Sequence, residues 1–338
     1  MKLCVLGAGS WGIALAAHLK KAGHDISLWD FNKVKSEQLT KTRENKVLLP
    51  GILLPADIFI TSDMEKALEG REGVVIVVPS HGIRNTAKTA AAHWPKGAWT
   101  VCAAKGLEED THLRMSEVLK QNLQPGTPIA VLSGPSHAEE VSRQMPTTVV
   151  SASSDKALAK TVQTVFHSDY FRVYTSDDMV GVELGGSLKN VIAIAAGITD
   201  GLGLGDNAKA ALMTRGLHEI TRLGVALGAQ SQTFAGLAGM GDLIVTCTSR
   251  HSRNRLLGEK IGKGASLDQA LKEMVMVAEG VKTSHAAVAL AEKAKVEVPI
   301  TQEVYKVLFE GKKAKEAVTS LLSRTAKPEN DTTERISF

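Results

Sequence analysis

Three glycines near the beginning of the chain, Gly7, Gly9 and Gly12, have the spacing G-x-G-x-x-G. They directly follow a short apolar run at residues 3–6 and open an amphipathic stretch at residues 11–22. Glycines at this spacing permit a tight turn and a close approach of the backbone to a pyrophosphate, and the following helix offers free N–H groups to the same anion. Because a strand precedes the motif and a helix follows it, the pattern predicts a dinucleotide site.

An acidic residue, Asp30, ends the second apolar run about 20 residues after the glycines, where a carboxylate can bind the hydroxyls of an adenosine ribose and favour NAD. Lys33 follows three residues later and could contact a 2′-phosphate instead, while Asp30 could also face solvent. The predicted cofactor is therefore NAD or NADP, with the preference between them left open.

Two lysines, Lys105 and Lys189, have surroundings suited to carbonyl reduction, which needs a proton donor beside the carbonyl oxygen. Lys105 follows the apolar run at 99–103, and Lys189 lies in an apolar helical segment rich in small residues. A buried ammonium group is costly unless it has a partner or a function. Burial and a second cation nearby would lower its pKa towards a range useful for proton transfer. The alternative is that Lys189 extends to the surface.

Two further segments could hold a small anionic substrate. Asp242 follows a glycine-dense stretch and could anchor a lysine or a substrate hydroxyl. Ser252 is predicted to cap a helix whose first turn carries Arg253 and Asn254, and a cation at a helix N-terminus suits a phosphate. The alternative is that Arg253 and Arg255 are surface charges on a capped helix.

The elements that must position these residues change character near residue 180. Before it, apolar runs alternate with helical stretches, which predicts an α/β fold with a Rossmann-type, doubly wound and mainly parallel sheet. After it, helical patterns dominate. The expected domains are a nucleotide-binding domain at 1–179 and an all-helical substrate-binding domain at 180–338, with a polar, frayed tail after Lys327. Strands are expected at 3–6, 26–29, 74–78, 99–103, 129–132, 147–151 and 171–174, and later helices at 180–197, 208–227, 253–261, 266–274, 283–293 and 300–308.

Composition argues against several other classes of protein. The net charge of +4 comes without a run of lysine or arginine, so no nucleic-acid partner is expected. Cys4, Cys102 and Cys247 lie far apart and predict neither a disulfide framework nor a zinc site, and the histidines lack ligand spacing, so no metal is expected. No apolar run approaches the ~20 residues that span a bilayer. An N-terminus that enters a strand at once predicts no signal peptide and hence a cytoplasmic location.

Ordered motifs from residue 7 to residue 280 resemble those of the bacterial NAD(P)-dependent glycerol-3-phosphate dehydrogenase family. Their number, order and spacing carry the resemblance. The motifs are Gly-Ala-Gly-Ser-Trp-Gly at 7–12, Val-Val-Pro-Ser-His at 77–81, Ala-Lys-Gly-Leu at 104–107, Ser-Gly-Pro-Ser-His-Ala-Glu-Glu at 133–140, Leu-Lys-Asn-Val at 188–191, Asn-Ala-Lys-Ala-Ala-Leu at 207–212, Thr-Arg-Gly-Leu at 214–217, Gly-Met-Gly-Asp-Leu at 239–243, Ser-Arg-Asn-Arg at 252–255 and Ala-Glu-Gly at 278–280.

The resemblance implies reversible hydride transfer between NAD(P)H and dihydroxyacetone phosphate, which supplies sn-glycerol 3-phosphate for glycerophospholipid synthesis, and it implies a homodimer. Lys189 matches the proton donor and acceptor of the family, and Lys105 matches a second lysine that contacts the substrate near the nicotinamide. The implied substrate contacts are Lys105, Gly134, Ser136, Lys189, Asp242, Ser252, Arg253 and Asn254. The implied nucleotide contacts, beyond the glycines and Asp30, are Ser10, Trp11, Phe31, Lys105, Ala138, Arg253, Val277 and Glu279.

One departure from the family pattern concerns the cofactor. Phe31 stands where some members carry a histidine or a basic residue near the adenosine ribose, which weakens the case for NADPH. Two other functions fit parts of the sequence: a β-hydroxyacid dehydrogenase, and a redox sensor that binds NAD(P)H without turnover. The phosphate-binding pattern at 252–254 favours a phosphorylated triose over the first, and the retained lysine pair favours catalysis over the second.

Overall fold

The computed structural model describes residues 1–274, 276–326 and 328–329. The predicted tail after Lys327 therefore lies outside the described residues, apart from 328–329. An eight-stranded sheet has the order β3-β2-β1-β4-β5-β6-β7-β8, and its neighbours pair in parallel except β6 with β7. This confirms the predicted mainly parallel sheet. The strands are β1 (Lys2–Leu6), β2 (Asp25–Trp29), β3 (Phe59–Thr61), β4 (Gly73–Ile76), β5 (Trp99–Cys102), β6 (Ile129–Ser133), β7 (Thr147–Ala152) and β8 (Phe171–Ser176).

Helices cover both faces of the sheet because successive strand residues point to opposite sides and both sides are apolar. Leu3 and Val5 of β1 belong to the hydrophobic cluster that includes residues of α1 and α7, whereas Cys4 and Leu6 belong to the cluster that includes residues of α3, α4 and α5. The doubly wound arrangement is therefore confirmed. The helices are α1 (Ser10–Lys21), α2 (Lys33–Thr42), α3 (Met64–Leu68), α4 (Ile83–Ala91), α5 (Met115–Asn122), α6 (Ala138–Val141) and α7 (Lys156–Phe166).

The sheet differs from the prediction in two places. Strand β3 was not predicted, because it has three residues of which Ile60 alone is buried, too short for a periodic pattern. Strands β4 and β5 end at Ile76 and Cys102, earlier than expected, so the apolar residues 77–78 and 103 begin the loops at the carboxyl edge. These loops carry Ser80 and Lys105 towards the helical half of the chain.

The second half of the described chain is helical, as predicted. The expectation that no apolar segment has the length to cross a membrane was wrong for helix α8 (Met179–Gly201), but 89% of its most apolar 18-residue stretch is buried inside the protein, as in a core helix. Helices α10, α11 and α16 and a π-helical turn at Leu237–Gly241 were not predicted; α10 has four residues, and the turn is rich in glycine. The helices are α8 (Met179–Gly201), α9 (Gly205–Ala226), α10 (Ser231–Phe234), α11 (Asp242–Thr248), α12 (Arg253–Gly262), α13 (Leu267–Lys272), α14 (Glu279–Ala294), α15 (Pro299–Phe309) and α16 (Ala314–Leu322).

Helices α8 and α12 cross in direct backbone contact because glycines face each other at the crossing. A Cβ atom on Gly258 would lie 2.0 Å from the carbonyl oxygen of Ile194, and one on Gly197 would lie 2.0 Å from that of Arg255. Neither position has room for a methyl group. The crossing fixes α12 against the helix that carries Lys189, and with it the first turn of α12.

We expect Gly258→Ala to lower the free energy of unfolding by about 2–3 kcal/mol, because overpacking must separate the two helices. Urea unfolding of the purified variant measures this change. Gly82→Ala is the matched control, since its Cβ would meet Val78 at an ordinary 3.7 Å. The control should change the free energy by less than about 0.5 kcal/mol. Equal stability of the two variants would mean that the crossing tolerates a methyl group.

Candidate active site

The glycine turn between β1 and α1 has the shape that a dinucleotide site requires. Gly7 has a φ of +119°, and a Cβ atom on Gly12 would lie 1.8 Å from the carbonyl oxygen of Gly7, so both positions need glycine. Gly9 caps α1, and a Cβ atom there would meet nothing within 4 Å among the described residues. The open side of the turn and the N-terminus of α1 fit a pyrophosphate.

The carboxyl end of β2 carries the residues predicted to face the adenosine. An oxygen of the Asp30 side chain accepts a hydrogen bond from the backbone N–H of Asn32 at 2.8 Å, so Asp30 is partly used to form the turn. Phe31 is 75% exposed beside it, and Lys33 is exposed at the start of α2. Both the carboxylate and the ammonium group are therefore available at this edge of the sheet.

One buried carboxylate holds the two lysines that the sequence singled out. The Nζ of Lys189 donates to Oδ1 of Asp242 at 2.5 Å, and the Nζ of Lys105 donates to Oδ2 at 2.7 Å. Lys189 is 5% exposed and Asp242 is 1% exposed, so the alternative of a surface lysine is wrong. Lys189 also donates to the hydroxyl of Thr246 at 2.6 Å, and Lys105 to the carbonyl oxygen of Gly134 at 2.8 Å.

The electrostatics of this cluster bring the pKa of the Lys189 ammonium group closer to neutral pH. Burial lowers the pKa of Lys189 to about 8, since the positive charge of Lys105 adds to the effect and the negative charge of Asp242 only partly opposes it. Burial alone would raise the pKa of the Asp242 carboxyl, but the two ammonium groups outweigh it and hold that pKa below its usual range. A lysine whose pKa lies near 8 can both donate and accept a proton under ordinary conditions.

The position of Asp242 depends on the π-helical turn at Leu237–Gly241, which immediately precedes it. A Cβ atom on Gly239 would lie 2.1 Å from the carbonyl oxygen of Phe234, and one on Gly185 of α8 would lie 2.6 Å from that of Ala238. The glycines therefore let the turn pack directly on its own chain and on α8, as the glycine density predicted. Turns of this kind are frequent at functional sites because they re-aim the next side chain.

An ion pair at the buried Glu183 fixes α8 against the sheet domain six residues before Lys189. The Glu183 carboxylate accepts hydrogen bonds from Arg114 at 2.6 Å and from the N–H and hydroxyl of Ser116 at 2.8 Å and 2.6 Å. These bonds join α8 to the N-terminus of α5 and set the position of Lys189 along the helix axis.

The first turn of α12 has the predicted cap. The Ser252 hydroxyl accepts a hydrogen bond from the N–H of Arg255 at 3.2 Å, which confirms Ser252 as the N-cap. Asn254 is buried, and its amide donates to Asn190 at 3.0 Å and accepts from the N–H of Gly280 at 2.9 Å. Arg253 is exposed, with one guanidinium nitrogen 3.2 Å from the carbonyl oxygen of Val277.

The other predicted site residues line the same edge of the sheet. Gly134 follows β6 with a φ of +139°. The hydroxyl of Ser136 lies 3.4 Å from the Nζ of Lys105 and donates a hydrogen bond to the carbonyl oxygen of Gly134 at 2.9 Å. Glu279 accepts hydrogen bonds from the N–H of Ser80 at 3.2 Å and from its hydroxyl at 2.5 Å. The remaining positions are Ser10 and Trp11 at the start of α1, Ala138 at the start of α6, and Val277, which is 40% exposed.

Three residues of this region make contacts that the sequence did not assign to them. Thr246 is four residues after Asp242 and on the same face of α11, a spacing that could have indicated its contact with Lys189. Ser80 follows a predicted strand. Its partner Glu279 lies 199 residues further along the chain, so the sequence around Ser80 could not indicate this hydrogen bond. Glu183 lies in an apolar stretch six residues before Lys189. A carboxylate in such a stretch is costly to bury without a hydrogen-bond donor or a cation, so its position could have indicated a partner such as Arg114.

A doubly wound sheet with a glycine turn at its carboxyl edge, where a lysine of the sheet half and a buried lysine of the helical half share one carboxylate, defines a nicotinamide-dependent oxidoreductase. The profile described as the N-terminus of NAD-dependent glycerol-3-phosphate dehydrogenase matches residues 2–159, and the profile for its C-terminus matches residues 178–319. The chain belongs to the NAD-dependent glycerol-3-phosphate dehydrogenase family. This membership decides against the β-hydroxyacid dehydrogenase and the redox sensor.

Individual relatives agree with this assignment over nearly the whole chain. The chain is 55% identical to the glycerol-3-phosphate dehydrogenase [NAD(P)+] of Thermoanaerobacter sp. over 329 residues, which cover 97% of this chain and 99% of the relative. It is 52% identical to that of Pelotomaculum thermopropionicum, covering 96% and 93%. Among solved structures it is similar to the Coxiella burnetii glycerol-3-phosphate dehydrogenase, with a TM-score of 0.91, 39% identity, and coverage of 96% and 99%.

Proposed function

We propose that this chain catalyses the reversible reduction of dihydroxyacetone phosphate to sn-glycerol 3-phosphate with NADH or NADPH. The observation that carries the proposal is the Lys189–Asp242–Lys105 cluster around a buried carboxylate, which joins the helical domain to the carboxyl edge of the sheet. Family membership supplies the reaction, and the cluster supplies a proton donor with a suitable pKa. The product is a building block for glycerophospholipids, as the family resemblance implies.

In this mechanism Lys189 donates a proton to the oxygen that becomes the alkoxide during reduction, and it takes the proton back in the reverse reaction. The nicotinamide cofactor supplies the hydride when it is bound. Asp242 and Thr246 hold the Nζ of Lys189 in place, and the ammonium group of Lys105 stabilises the negative charge that develops on the substrate. Because Lys189 and Asp242 are buried, the charges of this pair act with little screening by water.

The residues proposed to hold the cofactor are supported by their position around the glycine turn and the neighbouring strand ends. The turn and the N-terminus of α1 would bind the pyrophosphate, and the carboxyl end of β2 would contact the adenosine. Glu279, fixed by Ser80, would close the site from the helical side. The full proposed set is Gly7, Gly9, Ser10, Trp11, Gly12, Asp30, Phe31, Lys105, Ala138, Arg253, Val277 and Glu279.

The proposed seat for the substrate phosphate is the first turn of α12, with Arg253 as its cation and Asn254 as a fixed amide. Arg253 is exposed and can turn towards a ligand, whereas Ser252 is committed to the cap. Lys105, Gly134, Ser136, Lys189 and Asp242 complete the proposed substrate site. In this proposal a cation would lie at each end of a small phosphorylated ketone, Arg253 at the phosphate and the lysines at the carbonyl group.

We expect Arg253→Ala to raise the KM for dihydroxyacetone phosphate about tenfold or more while the turnover number changes less, since the guanidinium group binds ground state and transition state alike. Steady-state kinetics with saturating cofactor measures both parameters. Arg324→Ala is the control, because Arg324 pairs with Glu297 at the surface of the C-terminal region. An unchanged KM in Arg253→Ala would remove this residue from the phosphate seat.

The proposed function is tested by mixing the purified protein with dihydroxyacetone phosphate and following nicotinamide absorbance, once with NADH and once with NADPH. Oxidation of either cofactor supports the reaction, and the ratio of the two rates measures what Asp30, Phe31 and Lys33 select. Binding of both cofactors without oxidation of either would overturn the proposal and the roles given to Lys105 and Lys189.

Three further proposals concern organisation. The chain divides into a cofactor-binding part at 1–179 and a substrate-binding part at 180–338, a division supported by the end of β8 at Ser176 and the start of α8 at Met179. It works as a homodimer, which sedimentation at micromolar concentration tests. It acts in the cytoplasm, which fractionation of the source cells tests.

A further inference from the structure

His137 has an unsatisfied ring nitrogen beside the lysine cluster, and the mechanism above makes no use of it. Its Nε2 is buried and has no hydrogen-bond partner among the residues that the structure describes. The residue directly follows Ser136 and forms the N-cap of α6, where its side chain makes no capping bond. Buried polar atoms in native proteins nearly always have a partner, so a bound molecule is expected to supply one here.

A second histidine faces His137 from the helical domain. The ring of His251 lies 6.0 Å from that of His137, with the ring planes inclined by 53°. His251 belongs to the loop between α11 and α12 and immediately precedes Ser252, the cap of the proposed phosphate seat. The His137 imidazole therefore comes from the loop after β6 and the His251 imidazole from the loop before α12, so the two halves of the chain meet at this pair.

The charges around this pair favour an anion. Burial, then the positive charges of Lys189 and Lys105, lower the pKa of His137 to about 4, so the ring is neutral at physiological pH. Asp242 is the negative group near the ring, and it is already shared between the two lysines. A neutral imidazole can donate one hydrogen bond to a phosphate oxygen without adding another charge to a region that already holds two ammonium groups.

We propose that His137, which lies beside His251, donates a hydrogen bond to the phosphate of the substrate and makes the site specific for a phosphorylated ketone. The proposal rests on the proposed function. It deepens that function by adding a group from the sheet domain to a phosphate seat otherwise built on α12. The phosphate would then bridge the two domains, which explains why the histidine nitrogen has no partner within the chain.

The test compares two substrates that differ only in the phosphate, dihydroxyacetone phosphate and dihydroxyacetone. His137→Phe keeps a ring of similar size and removes both nitrogens. We expect its KM for dihydroxyacetone phosphate to rise about tenfold, with the turnover number within about twofold of the unmodified protein, as for loss of one hydrogen bond to a charged group. The kcat/KM for dihydroxyacetone should change by less than about twofold, because that substrate lacks the group that His137 contacts.

Two more variants complete the design. His251→Gln should raise the same KM by a smaller factor, since His251 lies beside the cap and carries no buried, unpartnered ring nitrogen among the described residues. His112→Phe is the matched control: this half-buried histidine also has an unpaired ring nitrogen among the described residues, but its ring packs 6.1 Å from His285 of α14. Thermal midpoints and NADH binding measured on each variant identify any that are misfolded.

Equal losses of kcat/KM for both substrates in His137→Phe would overturn the proposal and give the residue a general structural role. An unchanged KM for dihydroxyacetone phosphate would also overturn it and mean that an ordered water satisfies Nε2. If the unmodified protein itself failed to reduce dihydroxyacetone phosphate, the proposed function would fail first, and that result is read from the unmodified protein before any variant is compared.

Discussion

Replacing Lys189 with alanine should reduce the turnover number for dihydroxyacetone phosphate by about 100-fold or more, because the reduction then lacks its proton donor. The KM should change less, since Arg253 and the first turn of α12 remain. Lys189→Met should give the same loss while it keeps most of the buried volume, which separates the missing proton from a cavity. Steady-state kinetics of both variants, with NADH binding as a check on folding, measures the effect.

Lys260→Ala is the control for this experiment. Lys260 lies in α12 and pairs with Glu273 near the surface, so its loss should leave the turnover number within about twofold. Near-normal turnover in both Lys189 variants would contradict the assignment, because the reduction would then proceed without Lys189 as its proton donor. Lys105 would become the candidate proton donor.

The sheet was largely predictable because its strands are buried on both faces and read as continuous apolar runs. The segment at 74–76 is an example, with all three residues fully buried. Strand β3 was not predictable in the same way, since Phe59 is exposed and pairing with β2 alone makes the segment a strand. Helix α11 was hidden because the glycines before it dominate the local pattern, and its first turn is stabilised by packing on α8.

The candidate site was predictable as a set of residue types but not as a geometry. The cost of burying an ammonium group pointed to Lys189, and the glycine density pointed to close packing before Asp242. Sequence could not show that one carboxylate binds both lysines, because Lys105 and Lys189 reach Asp242 across 137 and 53 residues of chain. Nor could it show that Asn254 is held by Asn190 and Gly280, since these contacts exist only once α8, α12 and α14 have packed together.

Asp242 is the residue on which both lysines depend, so Asp242→Asn should have the broadest effect. The substitution leaves two ammonium groups facing a neutral amide inside the protein. Breaking a buried ion pair in this way costs about 3–5 kcal/mol of stability, and the displaced lysines should reduce the turnover number by about 100-fold. Urea unfolding and steady-state kinetics measure the two losses separately.

The pH dependence of Asp242→Asn distinguishes an electrostatic role from a structural one. Reduction requires the protonated form of Lys189, so in the unmodified protein the turnover number should fall as the pH rises through about 8. Removing the carboxylate deletes the charge that favours the ammonium form and leaves the repulsion from Lys105. The pKa of Lys189 should then decrease further, and the alkaline fall in turnover should begin at a lower pH.

Asp178→Asn is the matched control for that shift. Asp178 is also a buried aspartate, and it caps α8 by accepting hydrogen bonds from Gly181, Gln230 and Thr233 at 2.6–2.9 Å. Its loss should lower the stability without moving the alkaline limb of the pH profile, because it changes no charge in the lysine cluster. If Asp242→Asn behaved in the same way, losing stability with its alkaline limb in place, Asp242 would be a structural anchor and the pKa of Lys189 would be set by burial alone.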